Sequence, residues 1–90
     1  MRVRVLYFGV LKDAVGRGQE EMELADGASV GDLVRGCRAR GSLAAGLWDS
    51  IAVAVNQEYA KDGDVLKDGD EVALLPPVSG GAEGLERYAG

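Results

Sequence analysis

The chain has 90 residues, 47% of them hydrophobic and 28% charged, with no histidine and a net charge of −5. That length makes one domain burying about 60–65% of its unfolded surface, with no room for a second. The acidic balance excludes the basic stripe that nucleic acid demands, and the longest wholly apolar run, Ile51 to Val55, is far short of a membrane span.

Arg2 and Arg4 interrupt any apolar leader segment, and Cys37 is the single cysteine, so no disulfide can form within the chain. A cytoplasmic protein is therefore expected. The first element is a strand over Arg2 to Phe8, with Val3, Val5 and Tyr7 on one face and Arg2, Arg4, Leu6 and Phe8 on the other. Its second face leaves Leu6 and Phe8 as an apolar patch beside the arginines. A short helical turn over Gly9 to Val15 closes at Gly16, and Glu20 to Leu24 alternates again with Met22 and Leu24 inward, completing a hairpin.

Ser29-Val30-Gly31-Asp32 has the form of a capping box, and Val30, Leu33, Val34 and Cys37 recur at helical spacing as one apolar stripe. A helix follows, with Gly41 as its terminator. Gly31 and Gly36 each weaken it by roughly 1 kcal/mol relative to alanine, so it depends on packing against a sheet. Ser42 to Asp49 reads either as a second short helix or as a packed loop. Ile51 to Val55 is a buried strand, Asn56-Gln57 a turn, Tyr59 part of a short edge segment, and Lys67-Asp68-Gly69-Asp70 a turn before the last strand, Glu71 to Leu75. The order is β, β, α, β, short β, β, an α+β mixed sheet packed on one main helix.

Without histidine the usual general base and the imidazole metal sites are absent, so independent catalysis is not expected. Glu20-Glu21-Glu23 and Asp68-Asp70-Glu71 lack the spacing of a calcium loop and read as solvated faces and turns, so no metal is expected. Gly80-Gly81-Ala82-Glu83-Gly84 is not a phosphate loop, because no strand-to-helix unit follows and no lysine ends it. Cys37 lies on the apolar stripe and Trp48 is read as packing.

What remains is Pro76-Pro77-Val78-Ser79-Gly80-Gly81, directly behind the last strand. Proline cannot extend a sheet ladder and holds the chain stiffly extended, while a glycine pair presents only backbone and fits a narrow channel. Such a tail suits a carrier that feeds its own backbone into another enzyme's site.

Together with Ala54-Val55-Asn56 and the run Leu66-Lys67-Asp68-Gly69-Asp70-Glu71-Val72-Ala73, this tail resembles the small subunit of molybdopterin synthase, the MoaD type of the MoaD/ThiS sulfur carriers. The resemblance implies a ubiquitin-like β-grasp fold, with a carrier domain over residues 1–81 and a mobile extension over 82–90. It implies that Gly81 is the reacting residue, adenylated by an E1-like activating enzyme that uses ATP and then converted to a thiocarboxylate by a sulfur donor. An acyl-adenylate has the leaving group that a free carboxylate lacks, and a thiocarboxylate is nucleophilic at neutral pH. The implied acceptor is cyclic pyranopterin monophosphate, reached when the tail enters a large subunit of the MoaE type in a heterotetramer. The carrier is a donating subunit without catalysis of its own and with no cofactor bound. The implied tail is Pro76, Pro77, Val78, Ser79 and Gly80, while strand alternation sets Leu6, Phe8 and Leu75, joined by Tyr59, on the sheet side away from the helix as the expected partner-binding face.

Family carriers end at the glycine pair, whereas this sequence continues from Ala82 to Gly90. Removal by a protease, descent from a fusion to a large subunit, an inactive relative and residues foreign to the natural chain all account for it, and processing is the favoured account. A related carrier for thiamin, thionucleoside or amino-acid biosynthesis, and a β-grasp interaction module or protein modifier, are the competing readings.

Overall fold

The computed structural model describes residues 1–40, 48 and 50–76, with only the backbone of Arg40. Strand β1 spans Arg2–Tyr7, helix α1 Val10–Val15, β2 Gln19–Glu23, α2 Val30–Arg40, β3 Ala52–Val55, β4 Glu58–Tyr59 and β5 Glu71–Leu75. The expected order of elements holds. The strands form one five-stranded sheet in the order β2-β1-β5-β3-β4. β1 and β5 are parallel and every other neighbouring pair is antiparallel, so the last strand of the chain occupies the middle of the sheet.

Alternation along β1 does what the sequence requires. Val3, Val5 and Tyr7 are buried, and β5 contributes Val72 and Leu74 to the same layer. Onto that layer α2 lays Val30, Leu33 and Cys37, joined by Leu11 of α1, Leu66 and Trp48, while Met22, Leu24 and Val34 pack partly buried at its edge. Each fully buried valine or leucine contributes about 1.5–3 kcal/mol, which compensates a helix carrying two glycines.

The capping box of α2 closes in both directions. The Ser29 N–H donates to Asp32 Oδ2 at 2.9 Å, and the Asp32 N–H donates to Ser29 Oγ at 3.2 Å. Two further first-turn N–H groups find backbone acceptors in a distant loop, Val30 donating to the Asp64 carbonyl at 2.9 Å and Gly31 to the Asp62 carbonyl at 2.8 Å. No residue with a side chain fits easily at position 31, because a Cβ there would lie 3.2 Å from the Asp62 oxygen. The helix start is thereby stitched to the loop before β5.

Trp48 is helical and buried, which agrees with a packing role, and its indole N–H has no hydrogen-bond partner among the described residues. The expected terminator Gly41 and the ambiguous stretch Ser42 to Asp49, apart from Trp48, lie outside the described residues. No helix among the described residues is long and apolar enough to cross a membrane.

Candidate carrier tail and docking face

The tail begins where the sheet is most constrained. β5 pairs with β1 on one side, Leu6 opposite Ala73 and Tyr7 opposite Leu74, and with β3 on the other, Ala52 opposite Leu75 and Val53 opposite Leu74. The ladder closes with the Phe8 N–H donating to the Leu74 carbonyl at 3.3 Å. Pro76 follows directly, half-buried, with no N–H to offer a neighbour. The chain thus leaves the middle of the sheet at its rim. Pro77, Val78, Ser79, Gly80 and Gly81, and the extension 82–90, lie outside the described residues.

Register places the four expected docking residues on one face, the one turned away from α2. Gln19, Leu6, Ala73, Ala54 and Tyr59 form a single row across all five strands. Beside it Leu75 stands opposite Ala52, and Ala54, Ala73 and Leu75 make a second small apolar cluster with Leu6, Phe8 and Ala52 packed against it. In one respect the expectation of an exposed patch is corrected: Leu75 is 3% exposed. The reason is its place on the central strand, where side chains from both neighbouring strands flank it. Leu6 and Phe8 are half-buried, while Tyr59, on the short edge strand, is 50% exposed.

The same face is charged at its other end. Arg4 stands between Glu21 and Glu71 in register, and Arg2 pairs with Glu23 at 2.8 Å and with Glu21 at 3.5 Å. The hydrogen bond from Arg2 holds the Glu23 carboxyl below the usual carboxylate range, and the same bond raises the Arg2 guanidinium. One sheet face therefore has an apolar half near the tail and a salt-bridged half away from it.

Two polar arrangements were not legible in the sequence. Glu20, read as a solvated strand residue, sits opposite Val5 on the core side, where its carboxylate accepts a 2.6 Å hydrogen bond from the Tyr7 hydroxyl and pairs with Arg17 at 3.2 Å. Burial first, and then that hydrogen bond, raise the pKa of the Tyr7 phenol, whose oxygen lies 3.9 Å from Cys37 Sγ. The second is Asn56, which the sequence shows only as a turn residue. Its side chain accepts from the Glu71 N–H at 3.0 Å and donates to Asp70 Oδ1 at 3.0 Å, while its own N–H donates to the Glu71 carbonyl at 2.8 Å. It fastens the β3–β4 turn to the start of β5.

Among the described residues no group of three or more histidine, cysteine or acidic side chains is placed to hold a metal. What the arrangement offers is a strand-borne tail and a face beside it. A five-stranded mixed sheet clasping one main helix, with its central last strand running out into the tail segment, defines a ubiquitin-like β-grasp protein.

The sequence matches the ThiS family over residues 5–81. It is 40% identical to the molybdopterin synthase sulfur carrier subunit of Chlamydomonas reinhardtii over 90% of this chain and 100% of that protein. It is 39% identical to the subunit of the same name from Mycobacterium tuberculosis, covering 90% of this chain and 99% of that one. Among solved structures, a candidate molybdopterin converting factor subunit 1 from Pyrococcus furiosus superposes with a TM-score of 0.75 at 31% identity, over 87% of this chain and 99% of that one. Small archaeal modifier protein 1 of Haloferax volcanii gives 0.68 at 28% identity, over 86% and 98%. A chain of the Helicobacter pylori complex of subunits 1 and 2 of molybdopterin-converting factor gives 0.65 at 28% identity, over 90% and 100%. The chain belongs to the ThiS/MoaD family.

Proposed function

We propose that this protein is the sulfur carrier and small subunit of a molybdopterin synthase, delivering sulfur as a thiocarboxylate on Gly81 to cyclic pyranopterin monophosphate. The observation that carries this reading is the route of β5. It runs through the centre of the sheet and hands the chain out at Pro76, and the family match that includes it ends at Gly81. The relatives named as sulfur carrier subunits support the choice of pathway. The Helicobacter pylori complex of subunits 1 and 2 supports a large subunit as partner.

On this reading an E1-like enzyme spends ATP to adenylate the Gly81 carboxylate, a sulfur donor displaces the adenylate, and the charged tail enters the large subunit of a heterotetramer. The carboxylate oxygen carries no leaving group until it is adenylated, so activation precedes sulfur transfer. The segment Val78 to Gly81 spans at most about 13–14 Å when extended, enough to thread a short channel. An amide bond to Ala82 leaves nothing at Gly81 to adenylate, so loading requires a chain that ends there.

The experiment compares a chain ending at Gly81 with the 90-residue chain, each incubated with activating enzyme, ATP and sulfur donor, and reads intact mass. The shorter chain should gain one oxygen-to-sulfur exchange and the longer one should not. Sulfur loading of the uncleaved 90-residue chain overturns the placement at Gly81. The likeness to an archaeal modifier protein favours a second reading, attachment of Gly81 to lysine amines. Lysine conjugates in place of molybdopterin formation when the large subunit and pterin substrate are supplied would establish it.

A further inference from the structure

Gly9 closes β1 and opens α1, and it is held from both directions. Its carbonyl accepts the Lys12 N–H at 3.1 Å and the Asp13 N–H at 3.4 Å, and the residue before it, Phe8, is bonded to Leu74. Its backbone has φ +56° and ψ −132°, a conformation that an L side chain resists. Its open side faces the tail: a Cβ at position 9 would lie 3.0 Å from Pro76 Cγ and 3.8 Å from Cδ. The bare Cα of Gly9 is thus a seat against which the ring of Pro76 rests.

We infer that Gly9 is a positioning residue for the carrier tail, setting through Pro76 the direction in which the chain leaves the sheet. The inference rests on the proposed sulfur-carrier reading. Two constraints meet at the seat. The proline ring fixes φ at Pro76, and the contact with Gly9 fixes where that ring lies, so the root from which the chain leaves the sheet is set at both residues. A displacement of a few tenths of an ångström at the root grows along an extended tail, and reacting groups misplaced by about 1 Å can lose as much as a hundredfold in rate. Docking through the sheet face is untouched by such a change, so its effect belongs in kcat rather than KM.

The test uses chains ending at Gly81, with thiocarboxylate formation by the activating enzyme, ATP and sulfur donor followed by mass. Four proteins are compared with the parent: Gly9→Ala, Pro76→Ala, the double variant, and a semisynthetic chain carrying D-alanine at position 9. The D-residue is suited to positive φ and puts its methyl on the side of Cα away from Pro76. Gly9→Ala should lower kcat about tenfold with KM within about twofold of the parent. The same substitution in the Pro76→Ala background should lower kcat by less than about twofold, because the ring it strikes is gone. The D-alanine chain should retain the parent kcat.

A Gly9→Ala effect of equal size with and without the Pro76 ring, an unchanged kcat, or a comparable loss with D-alanine overturns the assignment. Should Gly9→Ala fail to fold beside Pro76, as its melting curve would show, the double variant decides: recovery of the fold without the proline ring supports the seat, and continued failure overturns it. Failure of the parent chain to load sulfur sinks the sulfur-carrier reading instead, and is distinguishable because it precedes any substitution.

Discussion

Asn56 has φ +52° and is followed by Gln57 at φ +72°, so two consecutive non-glycine residues hold the left-handed turn between β3 and β4. Asparagine tolerates that region better than most residues, and its amide here joins three hydrogen bonds to Asp70 and Glu71 when its N–H is counted. Asn56→Ala should destabilise the fold by about 2 kcal/mol, from two lost side-chain bonds and the strain of alanine at positive φ. Asn56→Gly loses the same bonds without the strain and should cost about 1 kcal/mol relative to the parent, after allowing for glycine's greater unfolded entropy. Urea titration of both variants checks the order, and equal midpoints for Gly and parent would remove the clip from the account. Residue-scale features of this kind were only half legible. The sequence marks Asn56-Gln57 as a turn, but the acceptor and donor lie in Asp70 and Glu71, far along the chain, and no local pattern announces them. The Tyr7–Glu20 hydrogen bond was missed for the same reason, since a run of glutamates reads as a solvent face until β2 is set beside β1.

At the scale of elements, α2 was the most legible. Its capping box, apolar stripe and start follow from spacing alone, because they depend on groups within four residues of one another. The stitching of its first turn to the Asp62 and Asp64 carbonyls was not visible, and it explains Gly31, which helix propensity alone counts as a defect. Asp32 links the helix to pH. The backbone bond from Ser29, and after it the Arg35 guanidinium, hold its carboxyl below the usual range. A depressed folded pKa contributes stability that is present above the unfolded value, near 3.9, and is lost as pH falls through the folded value. Glu23, depressed by Arg2, acts in the same direction. The melting temperature should therefore be flat from about pH 7 to pH 5 and fall below about pH 4. Asp32→Asn should lower it at pH 7 and shrink the difference between pH 7 and pH 3. A pH profile of Asp32→Asn parallel to that of the parent would show that the capping carboxylate does not contribute to the acid limb.

At the scale of the whole molecule, the sheet has two unlike faces, and among the described residues only one is covered by helix. The other carries Leu6, Phe8 and Tyr59 beside the root of the tail, with Leu75 beneath them. On the proposed carrier reading, a partner that receives the tail meets this half of the face first, and exposed apolar clusters at such positions are where binding energy concentrates. Phe8→Asp should weaken binding to the large subunit by at least about 2 kcal/mol, roughly thirtyfold, as loss of a central anchor does. Because Phe8 is half-buried, some loss of stability accompanies it, so far-UV circular dichroism and a melting curve are measured on the same sample. A folded Phe8→Asp variant that binds the large subunit like the parent removes Phe8 from the interface.

Strand alternation, helical spacing and the capping pattern act within a few residues, and they determined by themselves the order of elements, the inward and outward faces of β1 and the cap of α2. The tertiary structure decided what depends on residues far apart. Placing β5 between β1 and β3, parallel to one and antiparallel to the other, is a choice among strand partners that no single strand's pattern contains. That choice buries Leu75, which alternation alone left on an exposed face. It also brings Gly9 against Pro76, because the ends of the first and last strands meet only when those strands lie side by side.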